Sequence, residues 1–504
     1  MKISTVTIVG NDLDLWITAA IFSRKLPHFK INVIDLQKEL IDQNITTDEI
    51  FSIYSHLIGI ENSDWKTDTN AVYKAGIEYY NFEKDGHYFC MPNGMYDIPK
   101  EDEKSQLNLG ILYDLKNYFS KEITHKDLLN FITYTPWLIA QNRISTSFKT
   151  TENIKAPFRF EDDVTFSFEK NLFIEVLKKQ CKSAITVYEN SEPEIIRNED
   201  GSIQTIQVGT TSLYSDLYID VSSDSILAEE SNKFNVIESY HEDMKDTFSL
   251  SYETTLDQVK NVKLASSVVA TDHGFAKKIP AWERCSFEYF YNSNETDSTE
   301  IEKIIQKTFS REFEHSHQKI QTGCYQVSWS KNVLLLGQAF YQLNSKIIES
   351  HSLLIDNLLY LLNIIDEKKS HYNRSIFNNH CYKNFFKSVN GDLILNSFSS
   401  RNGKFWEHYN TSEYYEEVVE YNLFNLLSTS HENLTPKDLY LLLGFDVPLF
   451  NSKFQTNVIA ERDKEFVKFL DYLKFGYQRF MEEMFKEVET FENVHDYTVA
   501  NIYT

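Results

Sequence analysis

An α/β fold with a mostly helical C-terminal region is predicted by three observations. A β-rich run enters Gly10 and turns directly into an apolar helical pattern. A second strand follows and ends on an acidic residue. Beyond residue 330 the strand character gives way to long helical patterns. Ile3 to Val9 reads as the first strand, and Leu13, Trp16, Ile17, Ala20 and Ile21 recur at the spacing of a helix packed on a sheet. Ile31 to Asp35 completes a βαβ unit. Where such a unit binds a dinucleotide, the helix N-terminus holds the pyrophosphate and the terminal carboxylate accepts the ribose hydroxyls, the role expected of Asp35. In the GxGxxG frame that begins at Gly10, Asp12 and Leu15 stand in place of the second and third glycines. A carboxylate and a bulky side chain therefore sit where backbone should approach phosphate.

The later elements follow from the same signals. Ile77 to Phe82 and Tyr88 to Met91 form a hairpin across the turn Lys84-Asp85-Gly86, and Ser105 to Ala140 is more helical. Phe168 to Cys181 is an amphipathic helix leading to a strand at Ile185 to Val187, a strand pair around Glu199-Asp200-Gly201, and the run Asp216 to Val221. A sheet region spans Asn261 to Tyr291, punctuated by Gly274 and Pro280. Thr435 and Pro436 start a helix that Gly444 closes, and Phe466, Leu470, Leu473, Tyr477, Phe480 and Met484 trace the core face of a longer one.

Composition narrows the function classes. With 504 residues, 42% hydrophobic and 14% aromatic, the chain can build two or three cores. A net charge of −24, with no clustered lysines or arginines, repels nucleic acid and anionic lipid, so neither is an expected partner. The five cysteines are scattered without a CxxC pair, which predicts buried thiols, no disulfide framework and no metal site. No basic leader precedes the first strand and no apolar run reaches bilayer length, so a cytoplasmic protein is expected.

Four further segments, in order, make most of the chain resemble the flavin-dependent tryptophan halogenases, a branch of the FAD monooxygenase fold. Leu57 to Phe82 is similar to a family segment in which a leucine-glycine-isoleucine turn precedes a helix and a K-x-G-I strand, and Lys74 falls on the family's catalytic lysine. His273 to Pro280 resembles the WxWxIP motif, with Phe275 and Lys277 replacing the tryptophans. In Trp329 to Leu354, Gly337 keeps the glycine expected near the flavin ribityl chain. There Glu349 and Ser350 align with the family's glutamate-serine if two residues are inserted, and His351 and Ser352 replace its threonine-glycine. Val389 to Trp406 follows a family run through Asp392, Ile394, Arg401, Phe405 and Trp406.

The resemblance implies an FAD-binding, Rossmann-like monooxygenase module over residues 1–345, with a helical insertion at about 105–155, and a helical substrate-binding and capping region over 346–504. It implies an oxidoreductase in which reduced FAD, supplied by a separate flavin reductase, and molecular oxygen convert halide to hypohalous acid. Lys74 would hold the oxidant or become a haloamine beside an aromatic, indole-like substrate. Glu349, with Ser350 beside it, would stabilise the cationic ring and take its proton. Gly10, Trp16, Asp35 and Gly337 are the cofactor-binding candidates. The departures also leave open a halogenase-fold binding protein without flavin chemistry, favoured by the missing glycines. The altered WxWxIP motif leaves open an FAD monooxygenase that does not halogenate.

Overall fold

The computed structural model describes residues 3–37, 43–48, 50–60, 64–82, 85–93, 135–144, 164–189, 192–236, 246–253, 262–292, 295–309, 316–319, 322–343, 350–365, 370–397, 399, 401–407, 486 and 488–503. The helices expected around residues 434–445 and 466–484, and most of the helical stretch expected from Ser105, lie outside them. Thr135–Gln141, at the end of that stretch, is helical. Two compact units divide the chain: residues 1–71, 168–253 and 281–392 form the first, and residues 72–167, 254–280 and 393–504 the second.

The first unit is organised by a six-stranded sheet. Strand β1 (Thr5–Gly10) runs parallel between β2 (Lys30–Asp35) and the strand Leu217–Asp220. Parallel pairing continues outward to Thr186–Glu189 on one side and Val333–Leu335 on the other, and Trp329–Ser330 adds an antiparallel edge. Central strands buried on both faces read as continuous apolar runs, which is why Val6, Ile8 and Val9 are all fully buried. The placement of Val333–Leu335 corrects the expectation that helical character begins at residue 330. A short, doubly buried strand carries no alternation to tell it from a piece of buried helix.

Helix α1 (Asp12–Lys25) follows β1 after a single residue and closes the βαβ unit. The spacing read from the sequence predicted one apolar stripe, yet every residue from Leu13 to Phe22 is buried. The helices Ile50–Ile58, Lys170–Cys181 and Ser350–Ile364 all pack on α1, so it is a core helix. Leu15, at the third glycine position, is wholly buried in this packing. The same unit holds an antiparallel set in which Asp246–Glu253 pairs with Arg284–Tyr291 and Ser316–Lys319, together with most of the long helix Ser370–Ser397.

In the second unit the predicted hairpin is present, Gly76–Tyr80 pairing antiparallel with Tyr88–Pro92. Gly76–Tyr80 also runs parallel to Ala265–Thr271, which pairs antiparallel with Gly274–Pro280. The short strand Val72–Lys74 leaves this sheet and pairs with Thr165–Glu169.

Gly10 is required by space. A Cβ on it would stand 2.7 Å from Val221 Cγ2, closer than carbon atoms tolerate. Gly10→Ala is therefore expected to cost about 1–3 kcal/mol through overpacking, read as a lower urea midpoint with an unchanged slope.

Candidate functional site

In the first unit the candidate residues gather at the β1-to-α1 turn. Gly10 pairs in register with Asp35, whose half-buried carboxylate accepts the Gln37 N–H at 3.1 Å. Asn11 caps α1 by position only, since its side chain makes no cap bond. Asp12 adopts a φ of +64°, the left-handed conformation for which the motif ordinarily supplies glycine. Its Oδ1 accepts the Leu13 N–H at 2.7 Å, and its Oδ2 lies 2.7 Å from the Lys170 ammonium. The glycine turn is thus retained in backbone geometry with a side chain added to it.

Asp14, which sequence reasoning did not single out, is fully buried and accepts the Gln338 N–H at 3.0 Å. Gly337 has a φ of +52°, and a Cβ there would collide with the Asp14 carboxylate. Glycine at 337 therefore serves the approach of Asp14 in this chain. Burial, partly offset by the Gln338 bond, pushes the Asp14 carboxyl up to about 7. At the end of Leu217–Asp220, Asp220 accepts the Ser222 N–H and hydroxyl at 2.8 and 2.6 Å and the Leu227 N–H at 2.7 Å. These bonds close the turn after the strand, and burial raises the carboxyl to about 6. Trp16 is buried in α1, with the Lys178 ammonium 5.1 Å from its ring centroid.

In the second unit Lys74 ends the strand Val72–Lys74 and is only 1% exposed. Its carbonyl accepts hydrogen bonds from Asn93 Nδ2 and Thr165 Oγ1, both at 3.2 Å, and Asn93 Nδ2 also donates to Thr165 Oγ1 at 2.8 Å. These bonds fix the backbone from which the lysine projects. Phe275 and Lys277, at the altered tryptophan positions, are both buried and share one face of Gly274–Pro280, where period-two spacing puts them. Phe275 meets Phe405 edge-on, with ring centroids 6.4 Å apart. Lys277 pairs in register with buried Val268, so the same unit carries a second buried lysine.

Arg401 donates to Asp272 Oδ1 at 2.6 Å, Asp85 Oδ1 at 2.8 Å and the Asn81 carbonyl at 3.0 Å, and the Trp406 indole donates to the Thr271 carbonyl at 2.6 Å. These two residues tie the segment after residue 397 to two hairpin turns. Glu349 lies outside the described residues. Ser350 opens the helix Ser350–Ile364, where His351 and Ser352 are buried. Among the described residues no cluster of histidine, cysteine, aspartate and glutamate suits a metal, and no helix is long and apolar enough to cross a membrane.

The turn fits the ribose end of FAD, with Asp35 beside Gly10 and a left-handed residue at position 12. At the position of the motif's second glycine the chain supplies a carboxylate together with a cation, Asp12 and Lys170.

Residues 5–438 match the tryptophan halogenase family model. A comparison with curated proteins returned no match. Among solved structures the chain is similar to apo VirX1, with 20% identity and a TM-score of 0.83 over 100% of both chains. It is also similar to a tryptophan halogenase from Shewanella frigidimarina, with 15% identity and a TM-score of 0.79 over 98% of this chain and 97% of that one. A third is BrvH, a flavin-dependent halogenase from Brevundimonas, at 14% identity and a TM-score of 0.80 over 99% of each chain. At such identities these likenesses establish the fold.

The raised Asp14 carboxyl has a stability consequence of definite sign. Between its ordinary value of 3.8 and about 7, the folded protein holds a proton that the unfolded chain has lost. Stability from this group therefore falls as pH rises through that window. Asp14→Asn, which keeps the shape without the charge, is expected to melt higher than wild type at pH 8 and to lose that advantage by pH 4, as read by thermal unfolding across pH.

Proposed function

The chain belongs to the tryptophan halogenase family, and from that premise we propose that it is an FAD-dependent halogenase, an oxidoreductase that transfers electrophilic halogen to an aromatic, indole-like substrate. The observation that carries this reading is Lys74. A lysine, ordinarily exposed, is here almost completely buried within the stretch that matches the family. A buried ammonium keeps a defined direction and meets little competing water, which suits it to hold one small polar oxidant.

When bound, reduced FAD together with oxygen supplies the two-electron oxidation of halide to hypohalous acid. Gly10 and Asp35 would hold the adenosine end of the cofactor, and Gly337 would help hold its ribityl end. A separate flavin reductase provides the reduced form. Lys74 hydrogen-bonds the hypohalous acid or is N-halogenated by it with loss of water, and so presents halogen to an electron-rich ring carbon. The Glu349 carboxylate stabilises the positive charge that develops on the ring and accepts the proton that leaves, with Ser350 beside it. The segment 346–504 caps the substrate.

One observation favours the competing reading, a halogenase-fold binding protein: the Asp12 carboxylate stands at the pyrophosphate turn. Absorbance of the purified protein titrated with oxidised and reduced FAD separates the two readings, since only the enzyme takes up flavin.

Lys74→Ala is expected to abolish halide incorporation into indoles, followed by mass shift with an added reductase, while reoxidation of reduced FAD by oxygen continues. Lys74→Met, which preserves volume, should behave alike. Unchanged incorporation in both would refute the role of Lys74. Glu349→Gln is expected to lower turnover by about 10² through lost transition-state electrostatics, with flavin affinity unchanged.

A further inference from the structure

Three features meet at the turn after β1. Asp12 holds a left-handed backbone that aspartate adopts at some cost and glycine adopts freely. Lys170 is the first residue of the helix Lys170–Cys181, the end at which the helix dipole disfavours a cation. Its side chain is nevertheless only 5% exposed, and that of Asp12 20%. The N-terminus of α1 and this ammonium therefore converge on the Asp12 carboxylate, and the buried Asp14 carboxyl feels the charges of both Asp12 and Lys170. Asp12 spans the helix N-terminus and the ammonium, Oδ1 on the Leu13 N–H and Oδ2 on Lys170, each at 2.7 Å. These donors lie where a βαβ unit receives a diphosphate.

Resting on the FAD reading above, we propose that Asp12 and Lys170 form an exchangeable charge pair in the pyrophosphate site. In the free protein the Asp12 carboxylate occupies the anion position. On flavin binding it swings out, and both the Leu13 N–H and the Lys170 ammonium pass to the diphosphate. Lys170 then makes the charge-assisted contact that this chain uses in place of close backbone approach. Asp12 sets the affinity by competing for the same donors, so the cofactor is held reversibly.

A double-mutant cycle on the full chain tests this. FAD affinity is measured by quenching of flavin fluorescence in wild type, Asp12→Asn, Lys170→Met and Asp12→Asn/Lys170→Met, each first shown to melt cooperatively without ligand. Asparagine tolerates the left-handed turn and keeps the Leu13 bond without the charge, so Asp12→Asn should bind FAD about tenfold tighter than wild type. Adding Lys170→Met to Asp12→Asn should weaken binding by about tenfold or more. If Lys170 merely neutralises Asp12, its loss will matter in wild type and change nothing once Asp12 is asparagine, which overturns the proposal. So does an Asp12→Asn protein that binds no tighter than wild type. ADP should reproduce both ratios and adenosine neither, because only ADP carries the diphosphate. Lys170→Gln serves where Lys170→Met does not fold. Folded variants that take up FAD in neither redox state would remove the flavin reading itself, an outcome distinct from flavin binding that ignores Lys170.

Discussion

The contact between Gly10 and Val221 is the constraint on which the β1-to-α1 turn and the residues around it depend. Two parallel strands end side by side with no volume for a side chain between them. The chain must therefore leave β1 by a turn of fixed direction. That direction delivers Asn11 toward Ser223, whose N–H reaches the Asn11 side chain at 3.4 Å, and starts α1 at Asp12. The left-handed backbone at Asp12 follows from the turn, and the position of its carboxylate over the first helical amide follows from that backbone.

The polar residues around the β1-to-α1 turn are held by specific contacts. Asp12 is balanced by Lys170. Asp14 reaches the Gln338 N–H because position 337 has no side chain to obstruct it. Val221 is the surface against which Gly10 packs, and Ser222 satisfies the buried Asp220. The turn thus combines a left-handed backbone with side-chain contacts, Asp12 on Lys170 and Asp14 on the Gln338 N–H.

Both units keep a lysine out of water. Lys74 projects from a strand whose carbonyl is anchored by Asn93 and Thr165, and Lys170 from the first turn of a helix. Desolvating an ammonium is expensive, and a fold retains it where geometry supplies compensation. The two differ in setting: Lys170 faces the Asp12 carboxylate, whereas Lys74 projects from a strand held by side-chain bonds to its carbonyl.

The βαβ order, the hairpin before residue 93, the helix ending at Cys181 and the order of the family segments were all legible in the sequence. Each rests on neighbouring residues: apolar periodicity, a turn glycine, an acidic strand end. Gly10 and Asp35 could be named for the same reason and Lys74 from the family resemblance, whereas Asp14, Lys170, Asn93 and Thr165 could not. Asp12 and Lys170 are 158 residues apart, and Lys74 and Thr165 are 91 apart, so no local pattern relates them. The full burial of α1 was hidden similarly, because three helices from distant parts of the chain cover it. By itself, then, the sequence determined which elements form and in what order, since periodicity and turn chemistry act within a few residues. Tertiary structure alone decided which charges meet, because folding brings together side chains whose separation along the chain carries no information about their pairing.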